Sequence, residues 1–152
     1  MSSVRQVDLE SLPFLDEHRE HVDVPADVAW TALVGVLRRR MGGFGKLARV
    51  LGCDPLEGTP GFSGRVGEAL PGFRVVDSEP GRRLALRGQH RFARYALTFL
   101  IDGNELCARS EAEFPGIRGR IYRALLMGTR GHQIVTRGLL RHVARAAGRP
   151  AV

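Results

Sequence analysis

"GRIYRALLMGTRGHQIVTRGLLRHV", residues 119–143, holds five arginines, two histidines and no acidic residue. Together with its flanks it decides the architecture. Ile117, Ile121, Leu125, Gly128, His132, Val135, Leu139 and Val143 step by three or four, which puts them on one stripe of a helix. Arg123, Arg130, Arg137, Arg141 and Arg145 fall on another face, nearly opposite. A stripe this long needs an apolar cover, and the preceding segment offers one.

That segment alternates. In "RRLALRG" (82–88), Leu84 and Leu86 point one way and Ala85 and Arg87 the other. The run 91–101 sets Tyr95, Leu97, Phe99 and Ile101 against Arg94, Ala96 and Thr98. "NELCARSEAEF" (104–114) sets Leu106, Ala108, Ser110, Ala112 and Phe114 against Cys107, Arg109, Glu111 and Glu113. Pro71-Gly72, Pro80-Gly81, Asp102-Gly103 and Pro115-Gly116 mark turns around these runs and around "RVGEAL" (65–70) and "FRVVDSE" (73–79). Strands joined by tight turns predict an antiparallel meander, apolar on one face and charged on the other. The fold class is α+β, with the carboxy-terminal helix lying on the apolar face.

Upstream, "EHREHVDV" (17–24) reads as a strand ending at Pro25. Pro25 opens a helix in which Trp30, Leu33, Val34 and Leu37 form the apolar side, Asp27 favours the amino-terminal dipole, and Gly42-Gly43 stop the run. A second short helix is expected over 45–51, then a Pro/Gly-rich loop. Residues 1–16 form an amino-terminal segment, 17–147 the domain and 148–152 a tail.

A chain of 152 residues is expected to form one domain with a proper core. Its first 27 residues carry seven of the sixteen acids, unlike an export signal, and no long apolar run exists, so a cytoplasmic location is expected. Cys53 and Cys107 form no CxxC and read as reduced thiols. The net charge of +7 is uneven: from Phe114 onward there are eight arginines and no Asp or Glu. Nucleic acid or an anionic membrane would suit such a face. One lysine against twenty-two arginines fits the arginine bias of a GC-rich genome instead, so those partners are disfavoured. That face also lacks the Phe and Trp expected of a single-stranded nucleic-acid site.

The motif Val22-Asp23-Val24-Pro25-Ala26-Asp27-Val28-Ala29-Trp30, followed by two short helices, a meander and one carboxy-terminal helix, resembles the START-like, Bet v 1-like superfamily. Its bacterial members include polyketide cyclase and dehydrase-like proteins. The resemblance covers residues 17–147 and implies a helix-grip fold, a curved antiparallel sheet wrapped around the carboxy-terminal helix. It also implies an apolar cavity between the two that holds a lipid, a polyketide or another apolar or amphipathic small molecule. Many members bind without catalysing, so the fold alone assigns no activity.

Facing then nominates the ligand-binding residues: Trp30, Leu86, Tyr95, Leu97, Phe99, Ser110 and His132. The apolar ones supply burial, and Tyr95, Ser110 and His132 orient polar atoms. An enzymatic alternative, a cyclase, aromatase or dehydrase, would use His132 as base and Tyr95 as proton donor. His90 and Arg91 in "GQHRF" read as a polar loop or as guards of the cavity mouth. Glu111 and Glu113 read as an outward charge ladder near Arg94 and Arg87. His18 and His21 would share a metal only on a helix, whereas a strand points them apart. "GGFGKL" and "GFSGR" fail as a phosphate loop and a nucleophile elbow. No metal or cofactor is expected; a homodimer is compatible with the sequence.

Overall fold

In the computed structural model the described residues are 12–128 and 131–148, and the side chains of 126–128 and 131–135 lie outside the description. Strand β1 (Phe14–His21) leads to helix α1 (Ala26–Met41), a short 3-10 turn and helix α2 (Gly45–Leu51). A long loop then reaches β2 (Ala69–Leu70), β3 (Phe73–Glu79), β4 (Arg83–His90), β5 (Ala93–Asp102) and β6 (Glu105–Glu113). Helices α3 (Gly116–Gly128) and α4 (Gly131–Ala147) close the chain. The six strands form one antiparallel sheet in the order β1-β6-β5-β4-β3-β2. This is the α+β helix-grip architecture.

The alternation governs which side each strand residue takes. Leu84, Leu86, Phe99, Leu106, Ala108 and Ser110 are buried, whereas Arg83, Arg94, Arg109 and Glu113 are exposed. Helix α1 contributes Ala29, Leu33, Val34, Val36 and Leu37 to the core, and α4 contributes Leu139, Leu140, Val143 and Ala147. Helix α4 packs against α1 as well as against β1 and β6. A polar tie joins α4 to β1: Arg137 Nε donates to His18 Nδ1 (3.3 Å), and His18 Nε2 lies 3.3 Å from Asp16 Oδ2.

Three expectations are corrected. Strand β1 begins at Phe14 rather than Glu17, because Phe14 and Asp16 already pair with β6 across a bulge. "RVGEAL" supplies only the two-residue strand Ala69–Leu70. The third correction concerns the carboxy-terminal stripe. Leu139 and Val143 are buried, but Ile117, Ile121 and Leu125 are 77%, 57% and 65% exposed. Helix α3 meets the body through a different side, at Gly119 and Tyr122. A Cβ on Gly119 would lie 2.7 Å from the Phe114 carbonyl carbon, so only glycine lets the helix settle so low on the end of β6.

A second close approach fixes the far side of the sheet. A Cβ on Gly88 would overlap the Gly72 carbonyl oxygen. Gly72 itself has φ +84°, a left-handed conformation that favours glycine. The turn at Pro71-Gly72 therefore lies flat on β4. Replacing Gly88 with Ala should destabilise the domain by about 1–3 kcal/mol through overpacking, read as a fall of several degrees in Tm. A Gly138→Ala control, where the added Cβ meets nothing within 4 Å, should leave Tm unchanged or raised.

Candidate functional site

Three cross-strand rows explain where the apolar face fills and where it stays open. In the row Leu84–Phe99–Ala108, Phe99 is fully buried within the same core as Leu33, Leu37 and Val143. One row further along, Leu86, Leu97 and Ser110 stand opposite one another, and next come Gly88, Tyr95 and Ala112. Over Gly88 the Gly72 carbonyl takes the place of a side chain, and Ser110 and Ala112 are small, so less side chain reaches off the sheet. A cavity of about 260 Å³ lies there.

Its walls come from every layer. The sheet gives His90, Ala93, Tyr95, Leu97, Ser110 and Ala112. The turn before β3 gives Pro71 and Gly72, with Cys53 beside them. Helix α2 gives Leu47, Ala48 and Leu51; Met41 and Phe44 precede it. Tyr122 of α3 and Thr136 and Leu139 of α4 close the remaining side. The α2 wall is tied to the sheet by backbone bonds: Cys53 N–H donates to Ala48 O (2.9 Å), Asp54 N–H to Gln89 O (2.8 Å) and Arg91 N–H to Leu51 O (3.2 Å).

Tyr95, Leu97 and Ser110, nominated from facing alone, border this cavity. Leu86 and Phe99 do not: both are fully buried in the packed core. Trp30 also sits away from it, packed on that core and against the loop, where a Cβ on Gly64 would lie 3.5 Å from its ring. The His132 side chain lies outside the described residues. Sequence reasoning undervalued His90 and Tyr122. The signal for His90 was present: the Leu84, Leu86 alternation, carried two steps further through Gly88, lands on His90. The reading of "GQHRF" as a polar loop or as guards of the cavity mouth left His90 off the strand, whereas β4 extends to His90.

The polar groups of the wall are held in defined states. Tyr95 donates its hydroxyl proton to the Gly72 carbonyl oxygen (2.7 Å), with Cys53 Sγ 3.8 Å away. Burial, with Cys53 beside it, pushes the Tyr95 phenol far above its ordinary value. Burial also raises Tyr122, again beside Cys53. His90 Nδ1 accepts the Phe92 N–H (3.1 Å), which leaves the proton of the neutral ring on Nε2. Burial lowers the His90 pKa, keeping the ring neutral. The ring sits in an aromatic cluster, 5.0 Å from Tyr122 edge-on and 5.5 Å from Tyr95. Tyr122 in turn stacks on Phe92 at 5.5 Å. Ser110 is 3% exposed, and its Oγ has no hydrogen-bond partner among the described residues.

Glu111 also borders the cavity, but its carboxylate pairs with Arg109 (3.5 Å). The expected ladder from Glu111 and Glu113 to Arg87 and Arg94 does not form; Arg94 and Glu113 are in register without an ion pair among the described residues. His18 and His21 point to opposite sides of β1, one half-buried and one exposed.

No protein-family model matches the sequence, and no curated protein is detectably similar to it. Solved structures do share the fold. The Mll3558 protein of Rhizobium loti superposes with a TM-score of 0.53 at 17% identity, covering 91% of this chain and 98% of that one. Protein CV1439 of Chromobacterium violaceum gives 0.52 at 16% identity, covering 91% and 100%. The likeness is one of fold: the helix-grip arrangement of sheet and helices is common to all three. Among the described residues no helix is long and apolar enough to cross a membrane.

The chain has two tyrosines, and both pKa values are raised. An ultraviolet titration of the folded protein should therefore show less than half of the phenol ionised at pH 10, the ordinary midpoint. Because the folded state keeps protons that the unfolded chain loses, stability is intact below pH 10 and falls as the pH climbs above it. His90 has the opposite sign: its stabilising contribution is full above pH 6.5 and is lost as the pH falls below that value. Phenol ionisation near pH 10 in the native protein would contradict the burial of the aromatic cluster.

Proposed function

We propose that the domain binds an apolar or amphipathic small molecule in the cavity between the open end of the sheet, α2 and the two carboxy-terminal helices. The observation that carries this reading is the Ser110 hydroxyl. It is buried in an otherwise largely apolar wall without a partner among the described residues, an arrangement that costs about 1–3 kcal/mol unless a ligand atom completes it. His90 adds a second polar contact, since its Nε2–H donor belongs to a neutral ring at the same wall. Aromatic and aliphatic groups supply the remaining contact surface, the usual make-up of a small-molecule site. The fold supports membership of the START-like superfamily, in which such cavities hold apolar guests.

The enzymatic alternative draws less support. A cyclase or dehydrase needs a group that gives up a proton, and the Tyr95 proton is already committed to the Gly72 carbonyl. Its raised pKa makes it a weaker acid still. Glu111 is engaged by Arg109. Binding with orientation is what these groups are set up to do.

Anilinonaphthalene sulfonate, an amphipathic dye, is a suitable probe. It should bind the native protein at one site with enhanced fluorescence. Filling variants at two walls, Ala112→Leu and Ala93→Leu, should abolish that signal while circular dichroism stays native. Ser110→Ala should raise the stability of the empty protein by about 1 kcal/mol, because a buried hydroxyl without a partner is removed. Unchanged dye binding in both filling variants would sink the reading.

A further inference from the structure

Six arginines lie on the strands, and they divide into two sets. Arg19 pairs with Glu105 (3.2 Å) and Glu17 (3.5 Å), Arg83 with Asp77 (2.6 Å), and Arg109 with Glu111 (3.5 Å). Arg74, Arg87 and Arg94 have no carboxylate within ion-pair distance among the described residues. These three line one hollow of about 350 Å³ on the outer face of the sheet. Arg74 and Arg87 stand directly opposite on β3 and β4, a pairing of like charges that costs stability. Arg94 stands opposite Gln89, two positions along β4 from Arg87, which makes it the diagonal neighbour of Arg87. Among the described residues the one hydrogen bond of the three guanidinium groups runs from Arg74 Nη1 to the Gly67 carbonyl (3.3 Å). Asp54 is the one acid at the rim among the described residues, and its backbone is bridged to Gln89.

From this juxtaposition we propose that the hollow is a second binding site, for the phosphate or diphosphate group of a small organic molecule. Guanidinium forks match phosphate oxygens bidentately, and three forks around one hollow serve a tetrahedral group with three or four oxygens better than a planar carboxylate with two. The hollow exceeds what a phosphate alone needs. Leu12, Pro55 and Val76 give it apolar wall for the organic part. The site lies on the opposite face of the sheet from Ser110 and stands or falls independently of the cavity.

Calorimetric titration with phenyl phosphate, with benzoate as the carboxylate counterpart and at constant chloride, tests this. Phenyl phosphate should bind one per chain, roughly ten-fold or more tighter than benzoate. The double variant R87Q/R94Q should lose that binding by roughly ten-fold or more. R39Q should not, although Arg39 lines a smaller arginine-bordered hollow of about 160 Å³ between α1 and α4. Thermal denaturation guards against misfolding: without ligand the double variant should melt no lower than the parent, since opposed cations are removed, and phenyl phosphate should raise the parent's Tm alone. Benzoate binding as tightly, binding retained in R87Q/R94Q, or binding lost in R39Q would each overturn the assignment.

Discussion

The Gly72 carbonyl occupies the space where a side chain on residue 88 would stand. Most of the open end of the domain depends on that approach. It lays the turn before β3 flat against β4 and brings an acceptor within 2.7 Å of the Tyr95 hydroxyl. It also draws in the loop after α2, because Gly72 N–H donates to the Pro55 carbonyl (2.7 Å). Asp54 then pairs with Gln89, so the carboxy-terminal end of α2 is fastened to the same strand. One missing Cβ thus places two walls of the cavity and fixes the direction in which the phenol donates.

The regular parts of the structure were legible because they follow short-range rules. Period-two alternation placed Leu84, Leu97 and Ala108 inward and Arg83, Arg94 and Arg109 outward, and the Pro-Gly and Asp-Gly pairs fell at the strand ends. The two short helices were equally plain from Pro25, Gly42 and Gly52. The site was legible only by halves. Facing identified Tyr95, Leu97 and Ser110, but facing cannot separate a residue at a cavity from one in a filled core. Phe99 and Leu86 share the side of Tyr95 and yet are packed solid. The row sets Phe99 apart from Tyr95, and within the middle row the strand decides, since Leu86 on β4 is packed while Leu97 and Ser110 on β5 and β6 border the cavity; both depend on pairing between strands.

The carboxy-terminal stripe failed for a related reason. Helical periodicity says which residues share a face, not which face finds a partner. In α4 the apolar face meets α1 and the sheet. In α3 two residues, Gly119 and Tyr122, decide the docking: one because its absent side chain permits a backbone approach, the other because its ring fits between Phe92 and His90. Those contacts outweigh the scattered aliphatic surface of Ile117, Ile121 and Leu125 because they combine ring stacking with burial at a defined place.

The two ends of the sheet's inner face therefore serve different purposes. Around Leu84, Phe99 and Leu106 the side chains of three layers interlock and hold the domain together. Around Ser110 and Ala112 the strand carries residues too small to fill the same depth, and stability is forgone where the space is left. A core optimised only for stability would place Leu or Val at Ala112 and an apolar group at Ser110, since neither substitution conflicts with the strand backbone. On the outer face Arg87 and Arg94 have no ion-pair partner among the described residues, whereas Arg83 and Arg109 have theirs. Both departures from the most stable arrangement lie at the same end of the sheet, across β4 to β6, one on each face, and the binding sites proposed for the two faces rest on them.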